Sequence, residues 1–238
     1  MVVDLVKRKT YFQHPYLTKR SLTVYHSYWD PELKPEKYSY VDAALAAGYS
    51  ILIYDRLGTG QSEKPDAYDM VQFPSQIEIL NQLVVYARAG KLASSIKPQS
   101  LTLPKINKVV VVGHSIGSII TSRLLAQYPN AADGAVLTGF LLSQKHTTAP
   151  PRGLELARSS ANQRFHKYPN GYVVQGTESD IQHDFFKYGQ FELDALAYAD
   201  CVKDTNTVGE LVAYGTYAQP KAAPEFSGPL FVSCHDSL

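Results

Sequence analysis

The chain has 238 residues, 45% of them hydrophobic and 19% charged, enough for one domain with a full core and too many for a mini-protein. Its 23 Lys+Arg and 22 Asp+Glu are interspersed, so no basic face gathers phosphate backbones, and nucleic acid is not an expected partner. The two cysteines, Cys201 and Cys234, form neither a disulfide framework nor a CxxC pair, which leaves the redox compartment open.

No apolar run approaches the roughly 20 residues of a membrane span, and residues 1–9 lack the apolar centre of a signal peptide. A soluble chain with no membrane span is the expectation; cellular location and oligomeric state stay open. The 17 tyrosines supply amphipathic aromatic surface of the kind that lines clefts.

In chain order, residues 21–26 are β-branched and aromatic, ending at His26, and predict a strand closed off by Pro31 and Pro35. Residues 40–47 are alanine-rich and predict a helix stopped at Gly48, followed at once by a buried strand over residues 49–55. A helix over about 74–89 carries Ile77, Leu80, Leu83, Val84 and Ala87 at helical spacing, and Val109 to Val112 form a wholly apolar strand. A helix over 116–128 ends before Pro129, and further strands are predicted over 135–141 and 229–233. Alternating strands and helices specify an α/β fold, a mainly parallel sheet with helices on both faces.

The interval 142–225 is too long for an α/β loop and must carry structure of its own. It holds Pro150-Pro151, helix-compatible stretches such as 191–202, and the aromatics Phe165, Tyr168, Tyr172, Phe185, Phe186, Tyr188, Phe191 and Tyr198. The expectation is a mostly helical lid. The whole of 1–238 then reads as one domain, with a core of 1–141 and 226–238 and the lid between.

Gly113-His114-Ser115-Ile116-Gly117 fits G-x-S-x-G directly after a strand and directly before a helix. A serine hydroxyl is a weak nucleophile that must stand clear of the backbone, and two flanking glycines leave its approach open. The following helix aims its amino end at a developing oxyanion, with the Ile116 N–H as donor. The bland alternative is a glycine-bounded turn with an incidental serine.

With Tyr54-Asp55-Arg56-Leu57-Gly58-Thr59-Gly60-Gln61-Ser62, similar to a D-x-x-G-x-G-x-S turn, this elbow makes the chain resemble the α/β-hydrolase superfamily in its AB-hydrolase-1 form. The resemblance covers residues 21–141 well and the rest more loosely. Asp55, Arg56 and Ser62 read as turn-fixing residues rather than catalytic ones. A dinucleotide site is disfavoured, because Gly58 to Glu63 lacks the third glycine of G-x-G-x-x-G and no phosphate-loop motif is present.

The resemblance implies a serine hydrolase working through an acyl-enzyme on Ser115, with an ester or similar acyl substrate. The lid aromatics are expected to shape an apolar pocket over Ser115 that suits a small lipophilic substrate, and with no HExxH or close His/Asp cluster no metal or organic cofactor is implied. It places the acid of the triad at Asp236, just past the strand ending at Ser233; a solvated terminal carboxylate is the alternative. The base is missing from its usual place. The histidines are His14, His26, His114, His146, His166, His183 and His235, and none follows Asp236.

The H-G motif that completes the family's oxyanion hole is missing too, with His26 running into Ser27-Tyr28-Trp29. A second donor from Ser27 is the alternative to the preferred reading, in which His26 is an ordinary strand end. The chain therefore looks truncated at its carboxyl end, and an impaired hydrolase-fold or binding protein is the alternative function. Weak ester turnover by residues 1–238 follows, because a triad without its base loses about 10⁴- to 10⁶-fold.

Overall fold

The computed structural model describes residues 2–3, 10–11, 26–92, 106–140, 151–219 and 221–233, with 2–3, 10–11 and 26 described by backbone alone. Ten named strands and helices come before the long insertion. They are β1 (Val2–Val3), β2 (Thr10–Tyr11), α1 (His26–Trp29), α2 (Pro35–Tyr38), α3 (Tyr40–Ala46), β3 (Leu52–Ile53), α4 (Phe73–Arg88), β4 (Val109–His114), α5 (Ile116–Gln127) and β5 (Gly134–Thr138).

The four valines of β4 explain why the sheet is covered twice. Alternate residues of a strand face opposite sides. Val109 and Val111 enter the cluster formed with Phe73, Ile77, Leu80 and Val84 of α4 and Ile119, Ile120 and Leu124 of α5. Val112 enters the cluster formed with Val41 and Ala44 of α3 and with Ile51 and Ile53, and Val110 packs against it. A strand lined by β-branched residues on both faces is what a doubly covered sheet requires.

The main sheet runs β1-β4-β5-β9, with β9 at Leu230–Ser233. Strands β4, β5 and β9 are parallel: His114 lies opposite Thr138, and Thr138 opposite Ser233. Strand β1 is antiparallel to β4, and β2 pairs in parallel with β3 as a separate two-stranded sheet. The expected mainly parallel sheet is present.

Its edges differ from the sequence reading. Residues 21–25 lie outside the described set, and His26 opens helix α1, which corrects the expectation that His26 ends a strand. The helical turn places Tyr28 edge-on to Trp29 at 5.1 Å; Tyr28 also stacks on His114, and Trp29 packs edge-on against Tyr40. Strand β5 stops at Thr138 because Gly139 adopts φ +56, a conformation that breaks the strand.

Among the described residues the insertion is mainly helical and also carries a short sheet that the sequence reading did not include. Over 151–219 it contains β6 (Leu154–Leu156), β7 (Tyr172–Gln175), β8 (Asn206–Thr207), α6 (Glu178–Phe185), α7 (Leu193–Val202) and α8 (Val208–Tyr217). The strands form an antiparallel sheet in the order β6-β7-β8. Tyr172-Val173-Val174-Gln175 joins an aromatic to two β-branched residues, types that favour strands, and all four residues are buried.

Two of the aromatics expected to line a pocket are core residues instead. Phe165 and Tyr172 are fully buried with Ala67, Val71, Ala157 and Val174, and the Tyr172 hydroxyl donates to the Pro65 carbonyl at 2.8 Å.

The insertion is pinned to the core at several places. The Phe73 and Tyr217 rings stack at 4.8 Å, and the Thr207 hydroxyl donates to the Val71 carbonyl at 2.8 Å. Helix α7 is held to the α2 region by Glu192, which pairs with Lys34 and Lys37, and by Asp194, which pairs with Lys34 at 2.7 Å.

Hydrogen bonds from Lys34 and Lys37 hold the Glu192 carboxyl down to about 2. A lowered folded-state value contributes stability above the ordinary carboxylate range, and that stability is lost as pH falls towards the folded value. The groups are exposed, so the effect on stability is small. An NMR titration should place Glu192 well below ordinary glutamates, and a Lys34→Met/Lys37→Met variant should return it to the usual range. An unchanged midpoint in that variant would show that the lysines are not the cause.

Candidate active site

The chain leaves the sheet at His114 and enters α5 at Ile116, so it must turn within one residue. Ser115 makes the turn with φ 50 and ψ −116, and Lys34 is the only other non-glycine at positive φ among the described residues. A β-carbon costs on the order of 1–3 kcal/mol in such a conformation unless surrounding contacts enforce it.

Those contacts are present. The Ser115 N–H donates to the Thr138 carbonyl at 2.9 Å, and the Ser115 carbonyl accepts from Ser118 N at 2.9 Å and Ile119 N at 3.2 Å. Ser115 is thus the N-cap of α5, and Ile116 N–H belongs to the first helical turn, where backbone donors have no intrahelical partner.

The two glycines of the motif have different jobs. A Cβ on Gly113 would lie 2.5 Å from the Gly117 carbonyl oxygen and 2.7 Å from Ser118 N, so close packing of strand on helix demands glycine there. A Cβ on Gly117 would meet nothing within 4 Å. Gly117 leaves space open beside the first turn of α5; Gly113 closes the turn.

His114 sits on the other side of the elbow. Its Nδ1 is 3.0 Å from the Thr138 hydroxyl, its ring stacks on Tyr28 with centroids 4.7 Å apart, and a Cβ on Gly139 would come within 2.8 Å of its Cε1. Tyr28 is half exposed and stands in α1, a short connection before α2, whose cap residue Lys34 and whose Lys37 grip α7. The α1–α2 segment thus touches both the elbow, through Tyr28, and the insertion, through Lys34 and Lys37.

The glycine-rich turn after β3 is fixed as its residue types imply. Asp55 Oδ2 accepts from Gln61 N at 2.9 Å, the Ser62 hydroxyl donates to the Asp55 carbonyl at 2.7 Å, and Thr59 caps the Arg56 carbonyl at 2.8 Å. Asp204, from the insertion, accepts from Gly60 N at 2.6 Å and from Thr205 N at 2.7 Å. Burial pushes the Asp204 carboxyl up, against these two bonds and the nearby Lys64 and Arg164. Lys64 donates to the carbonyls of Thr59, Gly60 and Ser62.

Arg56 pairs with Glu210 of α8 at 2.6 Å, with side-chain exposures of 7% and 1%, and Gln76 Nε2 donates to Glu210 Oε1 at 3.1 Å and to the Leu57 carbonyl at 2.9 Å. Sequence reading missed Glu210, Asp204, Ser118 and Thr138. The first two lie far along the chain from their partners, and a lone serine or threonine carries no periodic signal.

Of the predicted site residues, Ser115 and Ile116 stand at the elbow. Asp236 lies outside the described residues, as do His14, His146 and His235; β9 ends at Ser233, opposite Thr138. His166 is bonded to the Ser160 carbonyl at 2.9 Å, and His183 lies 3.2 Å from both Asp184 Oδ1 and Arg152 Nη1.

The model of the alpha/beta hydrolase fold family matches residues 33–206, which spans the glycine turn, the elbow and most of the insertion. The chain belongs to this family. A protein of Enterobacter cloacae named as a carbamate hydrolase, RutD, is 32% identical over 124 residues; the alignment covers 51% of this chain and only 36% of that protein's length. A methylesterase from Arabidopsis superposes with a TM-score of 0.50 at 18% identity, over 81% of this chain and 68% of its own. A variant of tomato methylketone synthase I superposes with a TM-score of 0.53 at 11% identity, over 92% and 77%. At such identities the two structures establish the fold. Among the described residues of this hydrolase-family chain, no helix is long and apolar enough to cross a membrane.

Proposed function

We propose that the chain is a serine hydrolase acting on an ester or similar acyl substrate through an acyl-enzyme on Ser115. The observation that carries this reading is the backbone of Ser115, held at φ 50 and ψ −116 at the junction of β4 and α5. A serine with a merely structural role has no need of such a conformation, and strain of this kind is retained where it aims a reacting group.

Ser115 Oγ attacks the carbonyl carbon as its proton passes to solvent, and the carbonyl electrons move to oxygen next to the Ile116 N–H. Collapse of that intermediate expels the alcohol, which takes up a proton, and water then releases the carboxylic acid and restores the serine. Asp236 is the proposed acid; supporting it, β9 runs parallel to β5 and ends opposite Thr138, whose carbonyl holds Ser115 N.

Residues 142–225 are proposed to cover the site as a lid. Support comes from the anchoring of α7 to α2, which follows the helix that carries Tyr28, and from exposed Phe185, Tyr188 and Leu193 on and between α6 and α7, which suit a small lipophilic substrate.

A fluorophosphonate probe tests the reading in a single turnover: Ser115 Oγ bonds to phosphorus, and fluoride departs with the serine proton balanced in solvent. The expected result is one adduct per chain, mapped by mass spectrometry to Ser115 and absent from Ser115→Ala. Labelling that persists in Ser115→Ala would overturn it.

A further inference from the structure

Thr138 touches four residues in and just after the elbow. Its hydroxyl donates to the Gly113 carbonyl at 3.1 Å and lies 3.0 Å from His114 Nδ1. Its carbonyl accepts from Ser115 N at 2.9 Å and from the Ser118 hydroxyl at 2.8 Å, and its N–H donates back to that hydroxyl at 3.1 Å. Ser118 is fully buried and sits in the first turn of α5, so its hydroxyl spends both donor and acceptor capacity on the main chain of one residue in the next strand.

The consequence is geometric. Residues 113 and 114, at the end of the strand, and residue 118, in the helix, are tied to the same residue of β5. The chain between those ties has three residues in which to change from strand to helix, and the change falls on Ser115. The hydroxyls of Thr138 and Ser118 add side-chain ties to the strand register and to the main-chain bond from Ser115 N to the Thr138 carbonyl.

We infer that Thr138 and Ser118 form a clamp that holds Ser115 in its strained conformation, which makes them positioning residues for the nucleophile. The inference rests on the reading of Ser115 as nucleophile for its effect on reactivity, and on geometry alone for its effect on the backbone. A valine at 138 keeps the shape and the main-chain bonds but loses the hydroxyl that grips Gly113 and His114. A serine at 138 keeps the hydroxyl.

Two measurements on the full chain separate the possible failures. The first is the rate of phosphonylation at Ser115 by the fluorophosphonate probe. Thr138→Val should slow it about ten- to a hundredfold, the penalty of a nucleophile displaced by a fraction of an ångström to one ångström. Thr138→Ser should restore it to within about threefold of the parent, a rescue that loss of packing alone would not give. Equal rates in the parent and Thr138→Val would overturn the clamp.

The second measurement needs no reactivity. Glycine adopts positive φ without strain, so Ser115→Gly should raise Tm by about 2–4 °C in the parent background. In the Thr138→Val background, where the hydroxyl's grip on Gly113 and His114 is lost while the main-chain bonds remain, the rise should be clearly smaller. If the parent fails to label at Ser115, the nucleophile reading falls and the clamp is judged on this cycle; an equal rise in both backgrounds overturns it. Should Thr138→Val not fold, Ser118→Ala replaces it in both measurements, with the same expected and contradicting results.

Discussion

Replacing Glu210 by alanine should cost about 3–5 kcal/mol of folding stability, the usual penalty for removing one partner of a buried ion pair. The carboxylate is 1% exposed, 2.6 Å from Arg56 and within reach of Gln76, and it joins α8 to the glycine turn after β3 and to α4. Alanine would leave the buried guanidinium without this carboxylate and Gln76 without one of its acceptors, in a place that water reaches poorly. The loss therefore comes from desolvation rather than from the attraction itself. A double replacement, Arg56→Met with Glu210→Leu, removes both charges and should recover most of the stability. Urea unfolding measures both. A Glu210→Ala cost below about 1 kcal/mol would place the pair among the weak surface bridges and contradict its burial.

The second large effect is at the elbow. Gly113→Ala puts a β-carbon 2.5 Å from the Gly117 oxygen and 2.6 Å from the Gly117 carbonyl carbon, and neither can move without shifting the start of α5. Overpacking against backbone costs about 1–3 kcal/mol or more. Because the shift acts directly on Ser115, phosphonylation should also fall about a hundredfold. Gly117→Ala is the control. Its β-carbon meets nothing and lies within α5, so the fold should gain about 0.5–1 kcal/mol from the better helix former. Opposite signs of the two stability changes are the expected result. Equal losses would mean that the turn is held in some other way.

The layout of the fold was legible wherever one element writes a continuous pattern. The valines of β4, the helical spacing of α4 and Gly48 at φ +88 after α3 all stood in the sequence, because burial on two faces, burial on one stripe and a left-handed stop each demand particular residues in series. The elbow was legible for the same reason: Gly113 is compelled by contact. Short strands were not. Strands β6 and β8 are three and two residues long, too short to show a period, and aromatic content suggested pocket lining where Phe165 and Tyr172 in fact fill a core.

Long-range ties were the least legible. Arg56 and Glu210 are 154 residues apart, and Gly60 and Asp204 are 144 apart. Nothing near either partner marks the other, since a charged residue in isolation looks like solvated surface. Thr138 reads as an ordinary strand threonine until the register places it opposite His114. His26 shows the reverse error: a β-branched run before it suggested a strand end, while the ring contacts of Tyr28 and Trp29 beyond it select a helical turn.

The most direct measurement of the central claim is a crystal structure of the fluorophosphonate-treated protein. The expected result is phosphorus bonded to Ser115 Oγ, Ser115 still at positive φ, and the phosphoryl oxygen about 2.7–3.1 Å from the Ile116 N–H nitrogen, where an oxyanion would sit. An unmodified Ser115, or an adduct whose phosphoryl oxygen points away from the amino end of α5, would contradict the assignment of Ser115 as nucleophile and Ile116 as oxyanion donor.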